Sequence, residues 1–64
     1  SDEFLIVIQV NGKKRNTIKL KEEIDEKGLL DLIKKMKLID KYIENQKILK
    51  TIYVKNKLIN IIAK

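Results

Sequence analysis

Lys13, Lys14 and Arg15 follow directly on an Asn11-Gly12 pair that separates two strand-like runs. Asn-Gly in that setting predicts a type I′ hairpin turn, because both central positions need φ > 0. A second predicted hairpin near the C-terminus carries Lys50, Lys55 and Lys57 around Asn56, another residue that takes φ > 0 at low cost. The chemistry of these residue types is electrostatic. Lysine offers a phosphate a point charge, while Arg15, the single arginine, offers a planar fork or a stacking surface. Two basic turns in so short a chain predict a surface for phosphates.

The arrangement of charge says more than the net value of +6. Cations occupy Lys13 to Lys21 and again Asn45 to Lys64 with no acid among them, whereas the acids sit at the N-terminus and in the middle of the chain. Such segregation implies a polyanionic partner. A composition rich in Ile, Lys and Asn would supply solvating lysines without any function, but it does not explain their segregation. Catalytic chemistry is limited by inventory. With no His, no Cys and two Gly, the chain lacks an imidazole-activated nucleophile, a thiolate zinc site and a glycine-rich phosphate loop. Glu22, Glu23, Asp25 and Glu26 lack the spacing and turn glycine of a calcium loop. They are expected at a helix N-terminus, where carboxylates meet the macrodipole. No catalytic residue, metal site or cofactor is expected in this chain.

The elements that must position these side chains follow from periodicity. At 64 residues the chain has room for one domain, and without cysteine its core must hold by packing. No apolar run approaches the roughly 20 residues of a membrane span, so we read a soluble domain. The near-immediate start in a strand suggests a piece of a larger polypeptide. Phe4 to Val10 is apolar at nearly every position and reads as a strand covered on both faces. A two-residue Asn11-Gly12 loop predicts the pairs Val10–Lys13, Ile8–Arg15, Ile6–Thr17 and Leu5–Ile18. It would put Ile6, Ile8 and Val10 on one face with Lys13 and Arg15, a base-stacking and phosphate-binding surface. Asp25 is the predicted N-cap of a helix whose apolar stripe is Leu29, Leu30, Ile33 and Met36. A bend at Lys37 leads to a second predicted helix, Leu38 to Glu44, ended by Asn45. The last hairpin is predicted as Ile48 to Val54 and Lys57 to Ile62. The fold class is α+β: a small β-β-α-α-β-β domain, its two hairpins forming a sheet with helices packed on one face.

Gln9-Val10-Asn11-Gly12-Lys13 with Arg15, then Lys41-Tyr42-Ile43-Glu44, then Ile52-Tyr53-Val54 with Lys57-Leu58-Ile59-Asn60-Ile61, resembles the C-terminal domain of bacterial-type leucyl-tRNA synthetase. The likeness runs in order through nearly the whole chain. Lys55-Asn56 replaces the family's usual Pro-Gly, and Asn45 its usual Gly; Asn tolerates the left-handed region in both places. The resemblance implies a single tRNA-binding domain spanning residues 1–64, tethered flexibly to a cytoplasmic synthetase whose other domains use ATP and Mg to aminoacylate tRNA(Leu). It implies that Lys13, Lys14, Arg15, Lys50, Lys55, Asn56 and Lys57 contact the tRNA elbow, where the D and T loops meet, with the two turns close together. Ile8, Val10 and Leu58 would then pack on the outermost base pair. Met36 is expected in the core, Tyr53 likewise, and the isolated domain is expected to be monomeric and free of membrane. The alternative is a ubiquitin-like protein-interaction module without nucleic-acid binding, and a free-standing RNA-binding protein is a third reading.

Overall fold

A computed structural model describes residues 3–64; Ser1 and Asp2, which open the acidic N-terminal stretch, lie outside them. Four strands, β1 (Phe4–Val10), β2 (Lys13–Leu20), β3 (Ile48–Val54) and β4 (Leu58–Ala63), form one sheet in the order β2-β1-β4-β3. Both hairpins are antiparallel, and the central pair, β1 with β4, is parallel. One helix, α1 (Glu26–Lys35), packs on one face of the sheet. The predicted α+β class and both hairpins are present.

Alternation builds the core. Ile6, Ile8 and Val10 of β1, Ile18 of β2, and Ile59 and Ile61 of β4 meet Leu29 and Ile33 of α1 and Ile39 beyond it. Burying each such aliphatic side chain contributes about 1.5–3 kcal/mol before ordering costs. The residues between them point the other way. Leu5, Ile52 and Val54 are exposed and Val7, Leu58 and Ile62 half-buried, so β1 is covered on one face rather than the expected two.

The first hairpin keeps its predicted turn, with Asn11 at φ 51° and Gly12 at 84°, but changes register one residue later. Val10 faces Lys13 and Gln9 faces Lys14; a bulge then leaves Arg15 over, so that Ile8 faces Asn16 and Ile6 faces Ile18. The expected pairs Ile8–Arg15, Ile6–Thr17 and Leu5–Ile18 do not form. An unbroken ladder would have turned Arg15, Thr17 and Lys19 toward α1. One inserted residue keeps Arg15 on that side and turns Asn16, Ile18 and Leu20 there in place of Thr17 and Lys19.

The helical region is simpler than its sequence predicts. Asp25 caps α1 as expected, its Oδ1 accepting from the Gly28 N–H at 2.7 Å. The helix ends at Lys37, which has φ 56°; the Lys37 N–H donates to Lys34 O and the Leu38 N–H to Ile33 O, both at 3.1 Å. This is a Schellman closure made without glycine. Leu38 to Glu44 does not form a second helix but a single 3₁₀ turn, Asp40–Tyr42. So short a segment, freshly started after a C-cap, cannot offset helix nucleation. Its apolar residues still face inward, with Ile39 fully buried and Leu38, Tyr42 and Ile43 packed beside it. They take the place expected for Met36, which stands 53% exposed at the C-cap. In the second hairpin Lys57 belongs to the turn, its N–H donating to Val54 O at 3.0 Å. Asn56 there has φ 63°, and Asn45, leading toward β3, has φ 61°.

Candidate nucleic-acid interface

The parallel central pair decides which cations meet. Val7 lies opposite Leu58 and Val10 opposite Ile61, so the Asn11-Gly12 turn projects past one end of the sheet and the Lys55–Lys57 turn past the other. At 3.3 Å per residue the two tips stand about 17 Å apart along the strands. The expectation that both turns cradle one ligand is therefore corrected: Lys55, Asn56 and Lys57 do not join Lys13, Lys14 and Arg15. They stand among acids. Lys55 Nζ is 2.8 Å from Glu23 Oε2. That hydrogen bond, then the charge of Lys55, then a hydrogen bond from Asn56, hold the Glu23 carboxyl below the usual carboxylate range; the same bond raises the Lys55 ammonium. Glu26 accepts from Thr51 Oγ1 at 2.6 Å, and a concavity of about 420 Å³ here is lined by Glu23, Ile24, Asp25, Glu26, Tyr53 and Lys55. Tyr53 is half-buried against the core, as expected, its hydroxyl donating to Ile24 O at 2.9 Å. Charge at this end is mixed, with Lys19 and Lys21 beside Glu22, Glu23, Asp25 and Glu26.

The opposite end is basic, and its turn is held by side chains. Asn11 Oδ1 accepts from the Ala63 N–H, and the Gly12 N–H donates to Asn60 Oδ1, each at 3.0 Å. Just past Ala63, Lys64 and Lys47 exchange both backbone hydrogen bonds at 3.0 Å, a like-charge pair directly across two strands. Lys50 lies opposite Ile62 and Lys14 opposite Gln9. By register Lys14, Lys47, Lys50 and Lys64 share the open face at this end, while Lys13, opposite Val10, lies on the α1 side. None is neutralised: among the described residues the ion pair of the molecule is Lys55–Glu23, and no strand contains an acid. The nearest acids in sequence, Asp40 and Glu44, lie on the segment between α1 and β3.

Arg15 lies on the opposite face from this group, the face of Ile6, Ile8 and Val10, as expected. Its Cζ lies 4.6 Å from the centroid of the Tyr42 ring, and Lys41 Nζ lies 5.1 Å from the same centroid. Asn16 Nδ2 donates to Leu38 O at 3.1 Å and ties β2 to that segment. Of the apolar candidates, Ile8 and Val10 are 0% and 4% exposed beneath α1 and cannot reach a base. Leu58 is half-buried on the open face, beside Val7 and Val54. Lys41, Lys47 and Lys64 were not singled out from sequence. Their spacing carries no signal, because only strand pairing brings Lys47 to Lys64.

Fold and charge together define a small α+β domain with a cluster of cations at one end of its sheet. No family model matches the chain. It is 41% identical over 63 residues to leucine–tRNA ligases of Campylobacter hominis and of Thermosipho melanesiensis, matches that take in 98% of this chain and 8% of each of those proteins. The leucine–tRNA ligase of Haemophilus influenzae is likewise 41% identical over 98% of the chain. In structure the chain resembles part of the leucyl-tRNA synthetase of Agrobacterium radiobacter K84 in a ternary complex with tRNA and LeuAMS, with a TM-score of 0.86 at 19% identity, over 97% of this chain and 8% of that one. The chain belongs to the leucyl-tRNA synthetase family as one small domain, spanning about 8% of the length of the relatives it matches.

Proposed function

We propose that this domain is a tRNA-binding appendage of a cytoplasmic leucyl-tRNA synthetase, and that it meets the elbow of tRNA(Leu) with the basic end of its sheet. Lys13, Lys14, Arg15 and Lys50 carry the contact, joined by Lys47 and Lys64, while other domains, using ATP and Mg, perform aminoacylation. Leu58, beside the Lys55–Lys57 turn at the other end of the open face, takes no part in that contact. The observation that carries this reading is a cluster set by register: Lys14, Lys47, Lys50 and Lys64, none in an ion pair among the described residues, share one face at one end of the sheet, whereas Lys55 at the other end is paired with Glu23. The tRNA in the complex of the structural neighbour supports it.

About three to five phosphate contacts give a log–log salt slope near −2 to −4 and isolated binding no tighter than about 10⁻⁴ to 10⁻⁶ M. A flexible tether to the synthetase body makes such weak binding sufficient, since it raises the local concentration to about millimolar. The test is a salt titration of the domain with tRNA(Leu), comparing Lys13→Ala/Lys14→Ala/Arg15→Ala with Lys55→Ala/Lys57→Ala. The first set is expected to flatten the slope and the second to leave it unchanged; equal effects would sink the assignment of one end. A protein-interaction reading draws on the exposed Leu5, Ile52 and Val54 of the open face. It predicts salt-insensitive binding to a protein and no tRNA retardation.

A further inference from the structure

We infer that Arg15 and Lys41, gathered on the ring of Tyr42, form a clamp for one phosphate group, with Tyr42 as the residue that positions Arg15. The inference rests on the polyanion reading above and gives it one specific anchor. Three observations converge on this place. The bulge at Ile8/Gln9 leaves Arg15 without a partner in the ladder while its side chain stays on the α1 side, beside Tyr42. The guanidinium then lies 4.6 Å from the Tyr42 centroid. Stacking there gains about 0.5–1 kcal/mol at an exposed site and leaves the N–H groups along the guanidinium edge free for an anion. Lys41 brings a second cation to within 5.1 Å of the same centroid.

A lone arginine on a tyrosine needs no ligand to explain it. Two cations on one ring, one from β2 and one from the Asp40–Tyr42 turn, concentrate charge that an anion would relieve. They stand within roughly 10 Å of each other, no more than a Debye length at 0.1 M salt, so each raises the cost of the other. Neither has a carboxylate within ion-pair distance among the described residues, although Asp40 adjoins Lys41 in sequence. The platform is fixed from both sides: Tyr42 packs against the core, and the Asn16–Leu38 hydrogen bond holds the bulged strand to its segment. Side chains ordered before binding lose less entropy on binding, which favours a single tetrahedral oxyanion over diffuse attraction.

Two measurements test the clamp. In anisotropy titrations with tRNA(Leu) from 0.05 to 0.3 M salt, Arg15→Ala and Lys41→Ala are each expected to weaken binding about five- to eightfold at 0.1 M and to flatten the slope by about 0.7–0.9. Tyr42→Phe, which keeps the ring, should match the parent. Tyr42→Leu should lose as much as Arg15→Ala, and the double variant no more than either, with folding checked by circular dichroism. A full, additive loss for Arg15→Ala on the Tyr42→Leu background would overturn the positioning role. The second measurement is independent of RNA: inorganic pyrophosphate should shift the Arg15 Nε–H resonance in the parent and in Tyr42→Phe, but not in Tyr42→Leu. Pyrophosphate binding at Arg15 without tRNA binding would overturn the RNA reading and keep the clamp. Binding of tRNA that ignores Arg15 and Lys41 would overturn the clamp and keep the RNA reading, and silence in both titrations would overturn both.

Discussion

Lys47→Ala/Lys64→Ala removes the like-charge pair that faces itself across β3 and β4, and it should change affinity and stability in opposite directions. The two residues exchange both backbone hydrogen bonds, so their side chains leave the sheet side by side with no acid to pair them. Like charges directly opposite cost about 0.2–1 kcal/mol, which the double variant recovers. In a domain of this size that raises Tm by roughly 1–8 °C. If each lysine holds one phosphate, removing both lowers the salt slope by about 1.4–1.8 and weakens tRNA binding roughly 25- to 60-fold at 0.1 M salt. Thermal melts report the first quantity and anisotropy titrations at several salt concentrations the second. A variant that melts higher but binds with an unchanged slope would refute the reasoning that strand register builds the interface. One that melts lower would refute the reading of the pair as a tolerated repulsion.

Other substitutions probe the frame. Lys37 holds φ 56° at the helix end, a region costing a residue with a Cβ about 1–2 kcal/mol, so Lys37→Gly should stabilise by about 0.5–1 kcal/mol in urea denaturation after the added chain entropy is subtracted. Gly28→Ala, which helix propensity alone would favour, should destabilise, because the new Cβ would lie 2.9 Å from both Asp25 Oδ1 and Ile24 Cγ1 and disturb the cap; a higher midpoint in urea would refute this. The Glu23–Lys55 pair sets a pH window of stability. With the carboxyl lowered, its contribution is complete above the unfolded carboxylate range and is lost as pH falls through the folded value; with the ammonium raised, its contribution lasts to the usual lysine range and fades as pH climbs through the folded value. Lys55→Met should raise the Glu23 midpoint toward the ordinary carboxylate range in a ¹³C NMR titration, with the Asn56 hydrogen bond still lowering it, and identical midpoints in parent and variant would refute the pairing.

Local rules read well from this sequence, and the errors arose where long-range pairing chose between local options. Asn11-Gly12, Asn45 and Asn56 all take the positive φ their types announce, and Asp25 caps α1 as its place before the apolar stripe requires. These features depend on three or four neighbours. The bulge at Arg15 does not. Alternation on β2 is ambiguous from Lys13 to Thr17, where nothing apolar marks a face, and only the demand that Ile18 and Leu20 meet α1 sets the parity. Ile8 and Val10 carry the same ambiguity: an apolar strand residue beside a basic turn looks alike whether it faces a helix or a ligand. Met36 lay on the helical stripe, but the turn at Lys37 let Ile39 reach the core instead.

The separation of the two basic turns and the missing second helix are one topological fact. β2 ends where β1 begins, with Leu20 opposite Phe4, so the chain leaves the first hairpin at the end away from Asn11-Gly12. A pair of antiparallel helices would have returned it to that same end. β3 would then have started there, and the second turn would have come out beside the first. The single helix of 10 residues instead carries the chain about 15 Å back along the sheet, and the 3₁₀ turn crosses its end. β3 therefore begins beside the first turn, which brings Lys47 to Lys64 and sends Lys55–Lys57 away. Helix count thus selects which lysines share a surface. The Schellman closure at Lys37 and the brevity of Leu38–Glu44 exchange one cationic partner of the Asn11-Gly12 turn, the second hairpin tip, for another, the strand ends beside it.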